Sequence, residues 1–444
     1  MAPGFPGMNA ARPGGAAPSR PRIALVLPGG GARGAYQVGV LSAIADWVPP
    51  GRPLPFDILC GTSAGAINAA VLCARADDLR RAAADLDAVW GGFHSGQVFR
   101  TGAVDMLRSG LHLLFALVSG GWLLPMPSAL LDNTPLRALL DRHIDFVRLR
   151  AALAAGHPDT LAVVATSLGG GDSVTFVESS RPFEPWARAG RRGVAVTLDL
   201  EHLLASAAIP LLFTPVGIPG GHFGDGAMRQ TQPLAPAIHL GADRVLVIGV
   251  RPPLTARAAG HRPNMAEMFG FMLDTLFMEG VQSDLEWLAR VNALLAQLPP
   301  GPPPQGLRHV DALLLLPRRD PGELALAHAG AMPATLRSLL RILGARGRRG
   351  GQLLSFLLFE APFTRELIRL GREDANARRA ELSAFLGLAD AAGQETASDQ
   401  EQRAEAEQRG EADDVGHRGQ DHAAGQRRVD AQTLQHQRDQ HAGD

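Results

Sequence analysis

An α/β fold built on a largely parallel sheet is the fold class this sequence predicts, and three observations predict it. Short, continuous apolar runs recur along the chain. Several of them run straight into glycine, and stretches with apolar residues at helical spacing follow. Such alternation is the pattern of strands buried on both faces and crossed over by helices.

The elements follow in order. Ile23–Leu27 is a strand that ends in Pro28 and a glycine-rich turn, and Ala35 to Val48 continues as a helix. Phe56 to Cys60 repeats the pattern: a strand, a tight turn at Gly61 to Gly65, then an Ala-rich helix from Ala66 to Ala74. Further strands are expected at Leu161 to Thr166, Ser173 to Val177 and Val245 to Val250. Past Val250, Met265, Met268 and Met272 share one side of a helix with Phe269 and Leu276; core packing is the expectation for that stripe, and an adaptable surface for acyl chains is the alternative. Pro299 to Pro304 reads as a stiff linker, Val310 to Leu316 as one more strand, and Pro333 to Leu370 as two or three helices. The organisation expected is a disordered segment at 1–21, a catalytic domain at 22–250, a mostly helical extension at 251–388 and a disordered tail at 389–444. That tail has no aromatic residue, and its large aliphatics are only Val415, Val429 and Leu434, too few to offset the entropy of ordering.

Composition narrows the partners. With 444 residues, 46% of them hydrophobic, the chain can bury a large core. A net charge of −1 argues against a nucleic-acid partner, which would need a concentrated basic surface. Cys60 and Cys73 read as small buried apolar residues of a reducing compartment. No apolar core of a secretory signal stands near the start, so a cytoplasmic protein is expected, peripheral on the inner face of the membrane where it meets lipid. Two segments bear on that contact. Ser109 to Leu131 carries no charge, but glycines and prolines break it, so a buried or membrane-surface helix pair fits better than a span. Arg341, Arg346, Arg348 and Arg349 beside an apolar run read either as a solvated helix end or as contacts to anionic headgroups.

The chemistry lies in three short motifs, each at the end of an expected strand: Gly29 to Gly34, Gly61 to Gly65 and Asp225 to Ala227. A serine hydroxyl is a weak nucleophile until a base removes its proton and donors stabilise the oxyanion. Ser63 lies between Gly61-Thr62 and Ala64-Gly65 at a strand-to-helix turn, the setting of a nucleophile elbow with a helix dipole aimed at it. Gly29, Gly30 and Gly31 can converge their N–H groups on an anion, with Ala32, Arg33 and Gly34 completing the loop. The same spacing is also a dinucleotide fingerprint, but that reading needs an acid closing the second strand, and Cys60-Gly-Thr-Ser63 stands there. Asp225, followed by Gly226 and Ala227, can accept the serine proton if burial makes it more basic. A triad would need a histidine, and His202, His222 and His239 occupy no recognisable motif. A histidine-dependent esterase and a non-catalytic lipid-binding protein on the same fold are the competing readings.

Taken together, the three motifs resemble those of the patatin-like phospholipase family: Gly29 to Gly34 its glycine loop, Gly61 to Gly65 its serine elbow, Asp225 to Ala227 its aspartate motif. Ala205 to Pro210, with Phe213 and Pro215, and Leu131 to Leu136 are similar to two further family segments. The resemblance implies a three-layer α/β sandwich and hydrolysis of lipid acyl esters by a Ser–Asp dyad through an acyl-enzyme. It makes Ser63 the nucleophile, Asp225 the base and Gly29, Gly30 and Gly31 the oxyanion hole. It implies neither metal nor cofactor. Whether Arg33 meets substrate or braces the loop, and what oligomeric state the chain adopts, stay open.

Overall fold

The computed structural model describes residues 20–100, 131–252, 262–299, 307–342 and 350–388, with Gly102, Phe115, Ser119, Trp122, Ala129, Gly344 and Ala345 besides. Its strands are β1 (Ile23–Leu27), β2 (Ile58–Thr62), β3 (Thr160–Ser167), β4 (Ser173–Ser179), β5 (Trp186–Arg188), β6 (Arg191–Ala195), β7 (Val216–Ile218), β8 (Gly221–Asp225), β9 (Arg244–Ile248) and β10 (Asp311–Leu315). The helices are α1 (Ala35–Asp46), α2 (Ala64–Ala74), α3 (Leu79–Gly91), α4 (Thr134–His143), α5 (Phe146–Ala155), α6 (Leu200–Ser206) and α7 (Ala235–His239). They continue as α8 (Met265–Leu295), α9 (Pro321–Ala327), α10 (Ala334–Ile342), α11 (Gly351–Leu357), α12 (Ala361–Ala377) and α13 (Arg379–Leu386). Met1–Leu382 make one compact unit and Ser383–Asp444 a second, of which residues 383–388, the end of α13 and the two positions after it, are described.

The strands join in one mixed sheet with flanking helices, in the order β10-β9-β1-β2-β3-β4-β6-β5, while β8 pairs with β3 and β7. From β10 to β3 every neighbour is parallel. Antiparallel pairing begins where β4 and β8 meet β3. Burial explains why the central strands are largely apolar: every residue of β1, β2 and β3 is inside. Leu25 of β1 lies opposite Leu59 of β2 on one side and Leu246 of β9 on the other.

The expected strand at Phe56 to Cys60 sits two residues further on. Asp57 ties its backbone N–H to the Ile23 carbonyl and its carboxylate to the Ile23 N–H, each at 2.8 Å, and the paired register runs from Ile58 up to Thr62, beside Ser63. β5, β6 and β7 have no counterpart in the sequence reading: they are short, only half-buried and rich in Arg and Gly, so no apolar run marks them. The methionine stripe is also a correction. Met265, Met268 and Met272 are exposed at 66%, 57% and 40%, whereas Ala266, Leu273, Phe277 and Val281 are buried. The inward face of α8 follows the small and bulky residues that meet α11 and the glycine loop, and the stripe lies beside it. Cys60 and Cys73 are free and buried, and burial pushes both thiols up, Cys60 to about 12.

The chain after Val250 builds onto the same sheet. β10 extends the parallel block beyond β9, and α12 packs along α1, where the Tyr36 hydroxyl donates to Asp374 at 3.1 Å. No described helix is long and apolar enough to cross a membrane. Most of the apolar stretch at 109–131, Arg346, Arg348, Arg349, the linker past Pro299, the segment at 1–19 and the tail at 389–444 lie outside the described residues. Arg341 is described and exposed.

Candidate active site

Ser63 closes β2 and is the N-cap of α2, with φ 55 and ψ −127. Few side-chain-bearing residues adopt that backbone, and strain of this kind, of order 1–3 kcal/mol, gathers where a turn must aim a functional group. The surroundings hold it. The Ser63 N–H donates to Ser206 Oγ at 2.9 Å, and that hydroxyl in turn donates to the Val164 carbonyl at 2.6 Å. Gly61 and Gly65 leave no room for side chains: a Cβ on Gly65 would stand 2.0 Å from the Leu27 carbonyl. Ala64 begins α2, an eleven-residue helix whose positive end faces the serine. Thr62 turns aside to donate to Gln230 at 2.6 Å.

Asp225 arrives from a strand more than 160 positions downstream. β8 lies antiparallel to β3, with Asp225 opposite Ala165, and β3 is the parallel neighbour of β2, with Val164 opposite Thr62. Two sheet registers therefore set the aspartate beside the serine. Gly226 permits the final approach, since a Cβ there would meet the Val164 carbonyl at 2.2 Å and the Thr62 methyl at 2.9 Å. Asp225 is 1% exposed, and its Oδ1 accepts the Ala227 N–H at 2.9 Å. Its Oδ2 is buried with no partner at hydrogen-bond geometry. The Ser63 hydroxyl is near enough to draw the carboxyl pKa down, but burial dominates and pushes it up to about 7. A looser contact than a formed bond is usual for catalytic pairs without substrate.

The glycine loop runs alongside. Gly29 backs onto the elbow, for a Cβ there would be 2.8 Å from Ser63 Cβ and 2.5 Å from the Phe277 ring. Gly31, with φ +54, starts a short 3₁₀ turn through Ala32 and Arg33 to Gly34. The turn closes with the Arg33 N–H on the Gly30 carbonyl at 3.1 Å, a bond that leaves the N–H groups of Gly30 and Gly31 outside the turn's own bonding. The Arg33 side chain is fully buried and bonded to Asp274 of α8 and to Gln352 and Ser355 of α11.

A narrow pocket opens from Gly31 and Ser63. Its walls are almost wholly apolar, from Ile67 and Val71 of α2, Trp90 and Phe93, Leu136 and Leu140 of α4, and Phe359. His143 stands on its rim, a histidine no sequence motif distinguished. Among the described residues, neither Ser63 nor Asp225 is hydrogen-bonded to a histidine. His202 pairs with Asp199 at 2.6 Å, His239 packs at a tilt against Trp186 with burial and nearby arginines lowering it to about 4, and His222 is exposed on β8. Among the described residues no cluster of His, Cys, Asp and Glu could hold a metal ion.

Residues 25–238 match the family model described as patatin-like phospholipase. The chain carries a patatin-like phospholipase domain. This patatin-like domain takes in the glycine loop, the elbow and the aspartate motif, and leaves out α8 and α11. Among solved structures, VipD from Legionella pneumophila is similar at TM-score 0.31 and 16% identity, covering 58% of this chain and 55% of that one. Human GIVD cytosolic phospholipase A2, in complex with methyl gamma-linolenyl fluorophosphonate, is similar at TM-score 0.41 and 12% identity, covering 83% and 59%. The chain thus spans somewhat more than half the length of either structure. No curated protein sequence matches it.

Proposed function

We propose that this chain is a lipid acyl hydrolase that cleaves carboxylic esters of phospholipids or related acylglycerols with a Ser63–Asp225 dyad. The observation that carries the reading is the buried Asp225 carboxylate, without a cation, beside a serine on a strained elbow. A carboxylate with pKa near 7 is matched to take a proton at neutral pH, which an ordinary aspartate near 3.9 is not.

Asp225 removes the Ser63 hydroxyl proton as Oγ attacks the ester carbonyl. The tetrahedral oxyanion is received by the N–H groups of the Gly29 to Gly31 loop and by the positive end of α2. Collapse breaks the C–O bond to the alcohol, which leaves with the proton from Asp225, and the acyl group stays on Ser63. Asp225 then takes a proton from water, the hydroxide attacks the acyl-serine, and the fatty acid departs as Ser63 regains its proton. The apolar pocket receives the acyl chain.

Contact with the membrane is peripheral in this reading, and binding to anionic vesicles should weaken as salt rises, because screening removes the headgroup attraction. The deciding test is labelling of purified wild type, Ser63→Ala and Asp225→Asn with a fluorophosphonate probe. Wild type should label, Ser63→Ala not at all, and Asp225→Asn at a small fraction of the rate. Full labelling of Asp225→Asn would return the base to a histidine and sink the dyad.

A further inference from the structure

Arg33 follows the glycine loop by two residues, where a cation would ordinarily be expected to face a bound anion. It does the opposite. Nη1 donates to Asp274 Oδ1 at 2.6 Å, Nε to Ser355 Oγ at 2.8 Å, and Nη2 to Gln352 Oε1 at 2.6 Å. The guanidinium lies over the Phe356 ring at 3.8 Å from its centroid. All these partners lie beyond the residues that match the patatin-like domain: Asp274 on α8, the others on α11. Gln352 is itself fixed, its Nε2 donating to both carboxylate oxygens of Asp320 at 3.1 and 2.9 Å. The same helices press on the loop directly. A Cβ on Gly31 would be 2.3 Å from the Phe356 carbonyl, and Phe277 closes on Gly29.

We infer that Asp274, acting through Arg33, is a positioning residue that holds the glycine loop in the geometry an oxyanion requires. The inference rests on the reading of that loop as the oxyanion hole. Oxyanion donors work because they are aimed before the reaction, within about 2.7–3.1 Å of where the charge will appear. A run of three glycines orders itself less than any other sequence, so its direction has to be imposed from outside. A buried ion pair, hydrogen bonds to Ser355 and Gln352 and a ring beneath the guanidinium impose it. A guanidinium so engaged has no face left for a phosphate headgroup, so Arg33 serves esters with and without phosphate alike.

The test compares wild type, Asp274→Asn, Asp274→Glu and the pair Arg33→Met with Asp274→Leu. Each is measured on a p-nitrophenyl acyl ester and on a phospholipid, with melting temperature and fluorophosphonate labelling rate. Replacing both ions by apolar side chains keeps the fold where removing one would strand a buried charge. Expected are a fall in kcat of about 10²-fold on both substrates, KM within about threefold of wild type, labelling slowed in parallel, and partial recovery in Asp274→Glu. Wild-type kcat in the folded pair, a change in KM alone, or a loss confined to the phospholipid would overturn the inference. Should the pair not fold, Ser355→Ala and Gln352→Ala carry the test: a fall in kcat of several-fold at unchanged KM supports it, and wild-type kcat in both overturns it. Wild-type protein that neither labels nor turns over would bring down the reading of the site itself, and this inference with it.

Discussion

Asp225 and Asp274 are buried almost equally, at 1% and 6% exposure, one beside Ser63 and the other on Arg33, yet the protein treats them in opposite ways. Asp274 is given a cation at 2.6 Å. Asp225 is given one backbone N–H and the company of a hydroxyl, so burial raises its pKa to about 7. Neutralised charge makes a brace, because an ion pair out of water resists displacement of either partner. Charge left without a counterion favours a base, because the hydrogen bonds it keeps offset only part of the cost of burial. A glycine-rich site needs both, one for direction and one for reactivity.

The largest effect that would test this contrast is at Asp225. Asp225→Asn should lower kcat by about 10⁴-fold or more, as losses within a nucleophile–base unit generally do. It should also stabilise the fold above pH 7. The unfolded carboxyl titrates near 3.9 and the folded one near 7, so the folded state holds the proton more tightly. Its contribution to stability is therefore full below about pH 4 and lost as pH rises through 7. Removing the charge should recover on the order of 2–4 kcal/mol at pH 8, read from urea denaturation; a variant no more stable than wild type would break the contrast. Next in size, kcat/KM should rise about tenfold per pH unit on the acid side and level off near 7. A plateau reached by pH 5 would mean that Asp225 is an ordinary aspartate. On the braced side, Gly31→Ala combines a left-handed backbone with a Cβ 2.3 Å from a carbonyl, and should cost about 2–4 kcal/mol in the same denaturation experiment. Ser206→Ala strands the buried Ser63 N–H and should cost about 1–3 kcal/mol, with slower labelling of Ser63. Met272→Gln, on the exposed side of α8, should change stability by less than about 0.5 kcal/mol.

The unpaired half of the site was legible in the sequence, and the braced half was not. Ser63, Asp225 and the three glycines announce themselves because glycine marks where backbone must bend or approach closely, and each motif stands at the end of an apolar run. The parallel block from β1 to β3, with β9 and β10, was equally plain for the same reason. Asp274 and Gln352 carry no such mark. A carboxylate on a long helix reads as a solvated position, and only packing of α8 and α11 against the loop turns it inward. The methionine stripe misled because helical spacing tells which residues share a side, not which side is covered, and Ala266, Leu273 and Phe277 form a second stripe of equal regularity. The sequence had left two roles open for Arg33, and the bracing role inferred for it rests on contacts some 240 and 320 positions away.

The distance between the loop and its braces also bears on synthesis. A ribosome delivers the glycine loop early and Phe356 late, and β1 waits equally for β9, its partner from position 244 onward. The nucleophile is therefore translated long before the helices that aim its neighbours exist. A nascent chain stalled short of α11 should not react with a fluorophosphonate even though Ser63 and Asp225 are already made. On the proposed reading of the site, a half-built chain is one that cannot yet attack the lipids around it.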